Sequence, residues 1–198
     1  MGALIGIDIG QTHDPTAIAV VEEQNRREGD RTETHYLVRS LERLPLGTPY
    51  PQVVRRLHQI ITAVYQRTGH RPIVYLDATG VGTPILDMLR ENAVRSCDLR
   101  AVYITHGERC KQEKRGDYTR VVLGKALLVC RLQALLSTGR LHLPRTPDAE
   151  ALAVELLNYE IRVDENATDR YGAFRVGTHD DLATAVGLAV QVDRRSAA

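Results

Sequence analysis

Aspartates stand inside or directly beside apolar segments at three places in the chain. Asp8 lies within the apolar segment Leu4–Gly10, Asp77 ends a second apolar run, and Asp180 and Asp181 precede a third. A carboxylate in such a frame is costly unless a neighbouring group compensates its charge. Carboxylate oxygens are the ligands that Mg²⁺ and Mn²⁺ prefer. The three places together therefore predict one acidic pocket that holds divalent metal.

Glycines accompany two of these acids. Gly6 and Gly10 flank Asp8, and Gly80 and Gly82 follow the second acid. Glycine leaves room for a bulky group such as a phosphate or a hydrated metal, and it lets backbone N–H groups approach an anion. The alternative is that these glycines serve only the twist and the turns of the backbone.

The third place has an alternative explanation of its own. Thr178 followed three residues later by Asp181 fits a capping-box-like helix start, where acids are favoured. This explains one acid of the pair, but it does not explain the coincidence with Asp8 and Asp77.

The composition indicates one domain that spans residues 1–198. The chain is 43% hydrophobic, enough to bury a proper core. It has no apolar run that could span a bilayer and no signal-peptide pattern, which favours a cytoplasmic protein without membrane contact. The cysteines Cys97, Cys110 and Cys130 form no CxxC pair, so neither a zinc site nor a disulfide framework is indicated.

The charge of the chain is balanced, with a formal net charge of +1. If five of the 25 acidic residues cluster in the pocket, 26 basic residues face 20 acidic ones elsewhere. Such a surplus would suit a nucleic-acid surface around a metal-neutralised pocket. A mixed, solvated surface fits the charge equally well. The five acids in question are Asp8, Asp14, Asp77, Asp180 and Asp181.

Hydrophobic spacing and turn residues predict the elements that position these acids. The expected strands are 3–10, 16–22, 34–44, 73–76 and 99–104, with a late hairpin over 160–164 and 171–176. The expected helices are 51–69, a short one from Thr83, then 119–138, 146–158 and 178–193. The segments 22–31 and 106–117 are expected to be solvated connections.

That order predicts an α/β fold: a mixed sheet with three antiparallel strands followed by parallel strands, and helices on both faces. Ligand sites in open sheets of this kind lie at the carboxyl ends of the strands. The position of Asp77 at the end of a buried strand therefore strengthens its assignment to the pocket.

Four segments carry a resemblance to a known family. They read GIDIG at 6–10, DPTAI at 14–18, LDATGVG at 76–82 and HDDLATA at 179–185. In this order and at this length they resemble the C-terminal nuclease domain of large terminase subunits, the DNA-packaging motors of tailed bacteriophages. The resemblance covers nearly the whole chain, and it implies an RNase H-like (RuvC-like) fold.

The resemblance also implies a site and a chemistry. Asp8, Asp77 and Asp181 are then the metal ligands, with Asp180 and Asp14 as close auxiliaries. Two Mg²⁺ or Mn²⁺ ions about 3.5–4 Å apart would activate water and stabilise the leaving 3′ oxygen of a phosphodiester. We expect Asp8 to bridge the two ions, and Asp77 and Asp181 to hold one ion each.

His179 directly precedes the acid pair. It is a candidate for shuttling a proton or contacting phosphate, and the alternative is an exposed residue in the first turn of a helix.

The expected activity is that of a DNA endonuclease that cleaves concatemeric viral DNA during packaging.

Double-stranded DNA is the expected substrate, and a packaging ATPase, a portal and a small terminase subunit are the partners that the resemblance implies. The chain departs from the family pattern in one respect: it has no GxxxxGK[ST] run, so it contains no packaging ATPase domain and cannot translocate DNA alone.

A basic segment from Arg109 to Arg120 is the candidate DNA-contact surface, with a solvated loop as the alternative. It contains five basic residues and two acidic ones. No segment indicates base-specific contacts, so we expect little sequence preference. The basic residues are Arg109, Lys111, Lys114, Arg115 and Arg120. Arg170, Tyr171 and Arg175 form a second, weaker candidate.

Three other functions fit parts of the pattern. An actin-like or sugar-kinase-like ATPase uses similar Asp-x-Gly turns around phosphate, although such a clamp needs two lobes. Another RNase H-like nuclease, such as a Holliday-junction resolvase, would share the chemistry and differ in substrate. A degenerate fold that only binds DNA would not need the full set of acids.

Overall fold

A computed structural model of the chain describes residues 2–10, 14–80, 82–92, 96–107, 109–158, 160–163, 169–172 and 179–191. The strands are β1 (Gly2–Asp8), β2 (Ala17–Glu28), β3 (Arg31–Arg43), β4 (Ile73–Asp77), β5 (Asp98–Thr105), β6 (Cys110–Arg115), β7 (Tyr118–Gly124), β8 (Leu141–His142), β9 (Glu160–Val163) and β10 (Asp169–Gly172). The helices are α1 (Tyr50–Thr68), α2 (Gly82–Asn92), α3 (Lys125–Ser137), α4 (Pro147–Leu157) and α5 (Asp181–Ala189).

Eight of the strands form one mixed sheet in the order β6-β7-β5-β4-β1-β2-β3-β8. β1, β2 and β3 are an antiparallel meander. β4 then lies parallel to β1, β5 parallel to β4, and β7 parallel to β5. This arrangement confirms the expected fold class of three antiparallel strands followed by parallel ones.

Alternating side chains of the sheet build one core on each face. Leu4, Tyr75 and Val102 point to the face that α3, α4 and α5 cover. Ile5 and Val74, one residue out of phase, point to the face that α1 and α2 cover. A strand sends successive side chains to opposite faces, and strands buried on both faces are apolar throughout. Helices on both faces are therefore confirmed.

Helix-end signals in the sequence predicted two helices closely. Pro51 lies in the first turn of α1, and Gly69 ends that helix at φ 68°, a left-handed conformation that glycine adopts readily. The side chain of Thr146 caps α4 by accepting a hydrogen bond from the N–H of Ala149 at 3.3 Å. β9 and β10 pair antiparallel, which confirms a late hairpin, although its second strand begins at Asp169 rather than at 171, and residues 173–176 lie outside the described residues.

The expectation of a solvated connection over 22–31 is wrong. β2 continues to Glu28 and β3 begins at Arg31, so the turn between them is only Gly29-Asp30. Gly29 has a φ of 62°, which suits a tight hairpin turn. The charged side chains of Arg26, Arg27, Asp30 and Arg31 lie on an exposed extension of the hairpin, where backbone pairing needs no apolar pattern, whereas Glu23 is buried.

The expectations for 106–117 and 119–138 also need correction. Residues 110–115 form β6, and 118–124 form β7 rather than the first turns of a helix. β7 pairs with β5 on one side and β6 on the other. Tertiary pairing therefore overrides the helix-like spacing, and α3 begins only at Lys125.

The last helix is shorter than expected, spanning Asp181–Ala189. Thr178, the proposed cap, and Asp193, the expected end, lie outside the described residues. Within the described ranges, no helix is long and apolar enough to cross a membrane.

Candidate metal and nucleic-acid site

Strand register brings the first two acids side by side. β1 and β4 run parallel with Ile7 opposite Leu76, so the next residues, Asp8 and Asp77, are neighbours across the two strands. Asp8 also lies opposite Ala17 of β2. Adjacent strands are about 4.8 Å apart. The sheet therefore presents two carboxylates together at the carboxyl ends of β1 and β4.

A close contact between β1 and α5 brings the second acid pair to the same place. A side chain at Gly6 would collide with the backbone oxygen of Ala185, at 1.9 Å. Asp8 lies two residues beyond Gly6, about 7 Å along the strand, and Asp181 lies one helical turn before Ala185, about 6 Å along the helix. The start of α5 is therefore level with Asp8.

This contact corrects the interpretation of the glycines as ligand space. The backbone of α5 fills the space beside Gly6, and the backbone of Asp14 and Pro15 fills that beside Gly10. A side chain at Gly82 would meet the backbone oxygen of Asp77 at 1.9 Å. Gly6, Gly10 and Gly82 therefore allow close packing of the backbone around the acids, whereas the space beside Gly80 is open.

The two strand acids are electrostatically strained. Burial raises the pKa of Asp8 well above its usual value, and the nearby Asp77, Asp180 and Asp181 raise it further, while Lys125 opposes the shift. Burial also raises the pKa of Asp77, against hydrogen bonds from Thr79, whose N–H donates to Asp77 Oδ1 at 2.8 Å. Clustered carboxylates of this kind favour a proton or a cation.

Asp181 is held by an arginine that no sequence pattern indicated. Arg43, at the end of β3, donates from Nε to Asp181 Oδ2 at 2.7 Å and from Nη2 to Oδ1 at 3.2 Å. Arg43 also bonds to Glu155 of α4. Arg43 lies opposite Ala17, in the same cross-strand row as Asp8. The Asp181 side chain is only 4% exposed beneath this contact.

Glu155 is a buried acid of the same cluster. Burial raises its pKa to about 7, opposed by the N–H of Ala183 and by Arg43, and Asp181 adds to the rise. Its Oε2 accepts the Ala183 N–H at 2.8 Å.

Asp180 contacts a different base from Asp181 and is more exposed to solvent. Its Oδ2 lies 3.2 Å from the Nζ of Lys125, the first residue of α3, and its side chain is 30% exposed. Lys125 also opposes the burial-driven rise in the pKa of Asp8 and of Asp77. Lys125 therefore contacts the more exposed acid of the pair at the start of α5.

Asp14 and His179 meet each other at the rim. His179 Nδ1 lies 3.5 Å from Asp14 Oδ1, and the Asp14 side chain is 72% exposed. The structure gives neither of them a contact to Asp8. Both stay candidates for auxiliary roles.

The acids fit divalent metal by chemistry and charge. Within the described ranges, Glu155 lies with the four aspartates, and Arg43 and Lys125 are the bases that contact these carboxyl groups. Among the described residues, no three histidine, cysteine, aspartate or glutamate side chains form a ready-made metal-binding group. The all-oxygen donor set suits Mg²⁺ or Mn²⁺. In this structure Asp181 pairs with Arg43 and Asp180 pairs with Lys125.

The candidate DNA-contact residues lie on a hairpin, and strand alternation divides them between its faces. β6 is exposed along its whole length. Lys111 and Arg115 share one face, and Lys114 points to the other. Arg120 shares the face of Lys111 and stacks on Tyr103, with its guanidinium 4.7 Å from the ring centroid.

The hairpin residues also differ in their distance from the acids. Gln112 lies in the same cross-strand row as Asp77, through pairs across β5 and β7. Lys111 lies one residue nearer the acidic end of the sheet, whereas Lys114 and Arg115 lie about 7 and 10 Å toward the opposite end. Arg115 also pairs with Glu113 at 2.9 Å. Arg170, Tyr171 and Arg175 have no described side chains.

Comparison with known proteins gives matches among solved structures, while no protein-family model and no curated protein matches the chain. The chain is similar to the large terminase nuclease of thermophilic phage G20c with bound magnesium. The two share 21% identity over 95% of this chain and 79% of that one, with a TM-score of 0.64. This chain has the fold of a terminase nuclease domain.

Two further terminase nuclease domains support this fold assignment. A manganese-soaked domain from human cytomegalovirus is 14% identical over 99% of this chain and 85% of that one, with a TM-score of 0.59. The domain from bacteriophage SPP1 with bound manganese is also 14% identical, covers 96% of this chain and 85% of that one, and has a TM-score of 0.53. The RNase H-like fold expected from the resemblance is confirmed.

Proposed function

We propose that the chain is a metal-dependent DNA endonuclease domain that cleaves concatemeric viral DNA during genome packaging in the host cytoplasm. One observation carries the proposal: Asp8, Asp77, Asp180 and Asp181 converge at one end of the sheet in a terminase nuclease fold. The similar structures with bound magnesium, cobalt and manganese support divalent metal as the cofactor.

Asp8 and Asp77 are the proposed core ligands, joined by the acids at the start of α5. Asp181 was the expected principal ligand of that pair. Its carboxylate is buried under the Arg43 fork, whereas Asp180 is more exposed. These contacts favour Asp180 as the principal ligand and Asp181 as the anchored one. Two ions bound there would supply an activated water and stabilise the leaving 3′ oxygen.

Two bases of the chain complete the site. Lys125 offsets the negative charge on Asp180, and we expect the scissile phosphate to approach the acids beside it. Its ammonium group favours the entry of an anionic DNA strand into an acidic pocket. Arg43 holds Asp181 and is less available to a substrate, because its guanidinium is engaged by two carboxylates.

Double-stranded DNA is the proposed substrate, held mainly through its phosphates and with little sequence preference. We propose residues 1–198 as a single nuclease domain. A packaging ATPase, a portal and a small terminase subunit are its proposed partners, and they would present the DNA to it.

Plasmid cleavage in Mg²⁺, Mn²⁺, Ca²⁺ and EDTA tests the proposal. Cleavage is expected with Mg²⁺ or Mn²⁺ and is expected to stop in EDTA. Undiminished cleavage after verified metal removal would exclude the mechanism. A four-way junction cut in preference to linear duplex would favour a resolvase, and tight ATP binding would favour the actin-like alternative.

A further inference from the structure

The start of α5 lacks the cap that its sequence supplies. Asp180 is the N-cap residue, and an aspartate there ordinarily accepts a hydrogen bond from an N–H of the first turn. Its side chain makes no such bond. Its Oδ2 instead lies 3.2 Å from Lys125 Nζ. The carboxylate is therefore directed to Lys125 and the acid cluster rather than to its own helix.

A residue of another helix supplies the missing cap. Glu155 of α4 accepts the N–H of Ala183 at its Oε2, at 2.8 Å. Ala183 is the third residue of α5, so its N–H is one of the donors that a helix start leaves without an internal partner. Glu155 is 6% exposed, so solvent does not replace this bond readily.

Arg43 ties this cap to the neighbouring acid. It bonds to the other oxygen of Glu155, Oε1, and forks onto both oxygens of Asp181. A planar guanidinium can bridge two carboxylates in fixed geometry, whereas an ammonium acts as a point charge. β3, α4 and the start of α5 are thereby joined through three side chains.

We infer that Glu155 and Arg43 are positioning residues: they cap α5 and hold Asp181, and so leave the Asp180 carboxylate available to metal. The inference rests on the proposed function. Without Glu155, we expect Asp180, the N-cap residue, to accept the Ala183 N–H in the ordinary capping geometry. Asp180 would then turn away from Lys125 and the cluster.

Mn²⁺ titration of the metal-free protein by calorimetry tests this inference without relying on activity. Glu155→Ala is expected to weaken Mn²⁺ binding about 10- to 100-fold, as for residues that orient metal ligands. Asp180→Asn is expected to weaken it at least as much. Because Glu155 acts through Asp180, the double variant should bind no more weakly than Asp180→Asn alone.

The ion pair between Arg56 and Glu42 supplies a matched control. It joins α1 to β3 with a comparable fork, at 2.7–3.0 Å, on the opposite face of the sheet. Arg56→Ala should leave Mn²⁺ affinity unchanged. An equal loss in Arg56→Ala, or additive losses in the double variant, would reduce the Glu155 contact to ordinary structural support and overturn the inference.

Arg43→Lys keeps the test decisive if Glu155→Ala does not fold. A lysine keeps the charge but cannot bridge Glu155 and Asp181 together, so Mn²⁺ affinity should fall about 10-fold. Wild-type affinity in folded Arg43→Lys would overturn the inference. If the proposed function itself is wrong, the result differs from failure of this inference: Asp180→Asn, Asp8→Asn and Asp77→Asn would all keep wild-type Mn²⁺ binding.

Discussion

The acid cluster and the β6–β7 hairpin carry the two kinds of charge that the proposed nuclease needs, and they differ in how the fold constrains them. The acids of the cluster contact one another or a base: Asp181 and Glu155 contact Arg43, Asp180 contacts Lys125, and Asp8 and Asp77 lie side by side. The residues of β6 are exposed throughout.

This difference determines how strongly each region should respond to substitution. In the cluster, removing one charge alters the electrostatics of all the others, because buried charges interact over short, poorly screened distances. On the hairpin, each base contributes separately and is screened by salt. Substitutions in the cluster should therefore have the largest effects and those on the hairpin the smallest.

Asp8→Asn, Asp77→Asn and Asp180→Asn should each reduce Mg²⁺-dependent plasmid cleavage by about 100-fold or more, since a direct ligand should matter more than the groups that orient it. Asp181→Asn should also reduce cleavage, mainly by releasing Arg43. Gel-based cleavage rates at saturating metal measure these effects.

Asp87→Asn is the matched control for this series, because Asp87 is an exposed carboxylate on α2. It should cleave at the wild-type rate. Full activity in any one of the cluster variants would remove that residue from the site. A milder effect of Asp180→Asn than of Asp181→Asn would restore Asp181 as the principal ligand.

Asp8→Asn should raise the melting temperature of the metal-free protein, and by more at pH 8 than at pH 5. The folded pKa of Asp8 is raised, so between the unfolded value near 4 and the folded value the native state holds the proton. Stability from this group therefore falls as pH rises through that window. Thermal melts in EDTA across this range measure the difference. A destabilised variant at pH 8 would contradict an Asp8 carboxylate whose pKa is raised by burial and by the neighbouring acids.

Glu155→Gln should show the same trend in a defined window. The pKa of Glu155 is raised to about 7, so the wild type loses stability from this group between about pH 4.5 and 7. The neutral glutamine does not lose this stability, although its single side-chain oxygen can accept from only one of the two donors, Arg43 and the Ala183 N–H. Its melting temperature relative to wild type should therefore rise from pH 5 to pH 7. A flat difference would show that Arg43 keeps the carboxylate ionised throughout.

Pairwise neutralisation on the hairpin should have the smallest effect. Arg109→Ala with Lys111→Ala should weaken DNA binding for all sequences alike and lower the salt slope by roughly 1 unit for each lost phosphate contact. Lys114→Ala with Arg115→Ala should do less, because these residues lie toward the other end of the sheet. Fluorescence anisotropy at several salt concentrations compares the pairs. Equal slopes would show that DNA covers both ends of the hairpin.

The sequence was most informative where one residue type has one strong physical reason for its position. Aspartates in apolar frames at strand ends indicated Asp8 and Asp77, because burying a carboxylate without a partner is unfavourable. Proline and glycine marked the ends of α1 for similar local reasons. The mixed sheet followed from the order of these elements.

Long-range contacts decided the rest. β7 has helix-like spacing and becomes a strand because β5 and β6 pair with it. Arg43, Lys125 and Glu155 sit in segments with no motif, and only the packing of β3, α3 and α4 around α5 brings them to the acids. A single sequence records the type of each side chain, whereas the partner that compensates a buried charge is chosen by tertiary packing.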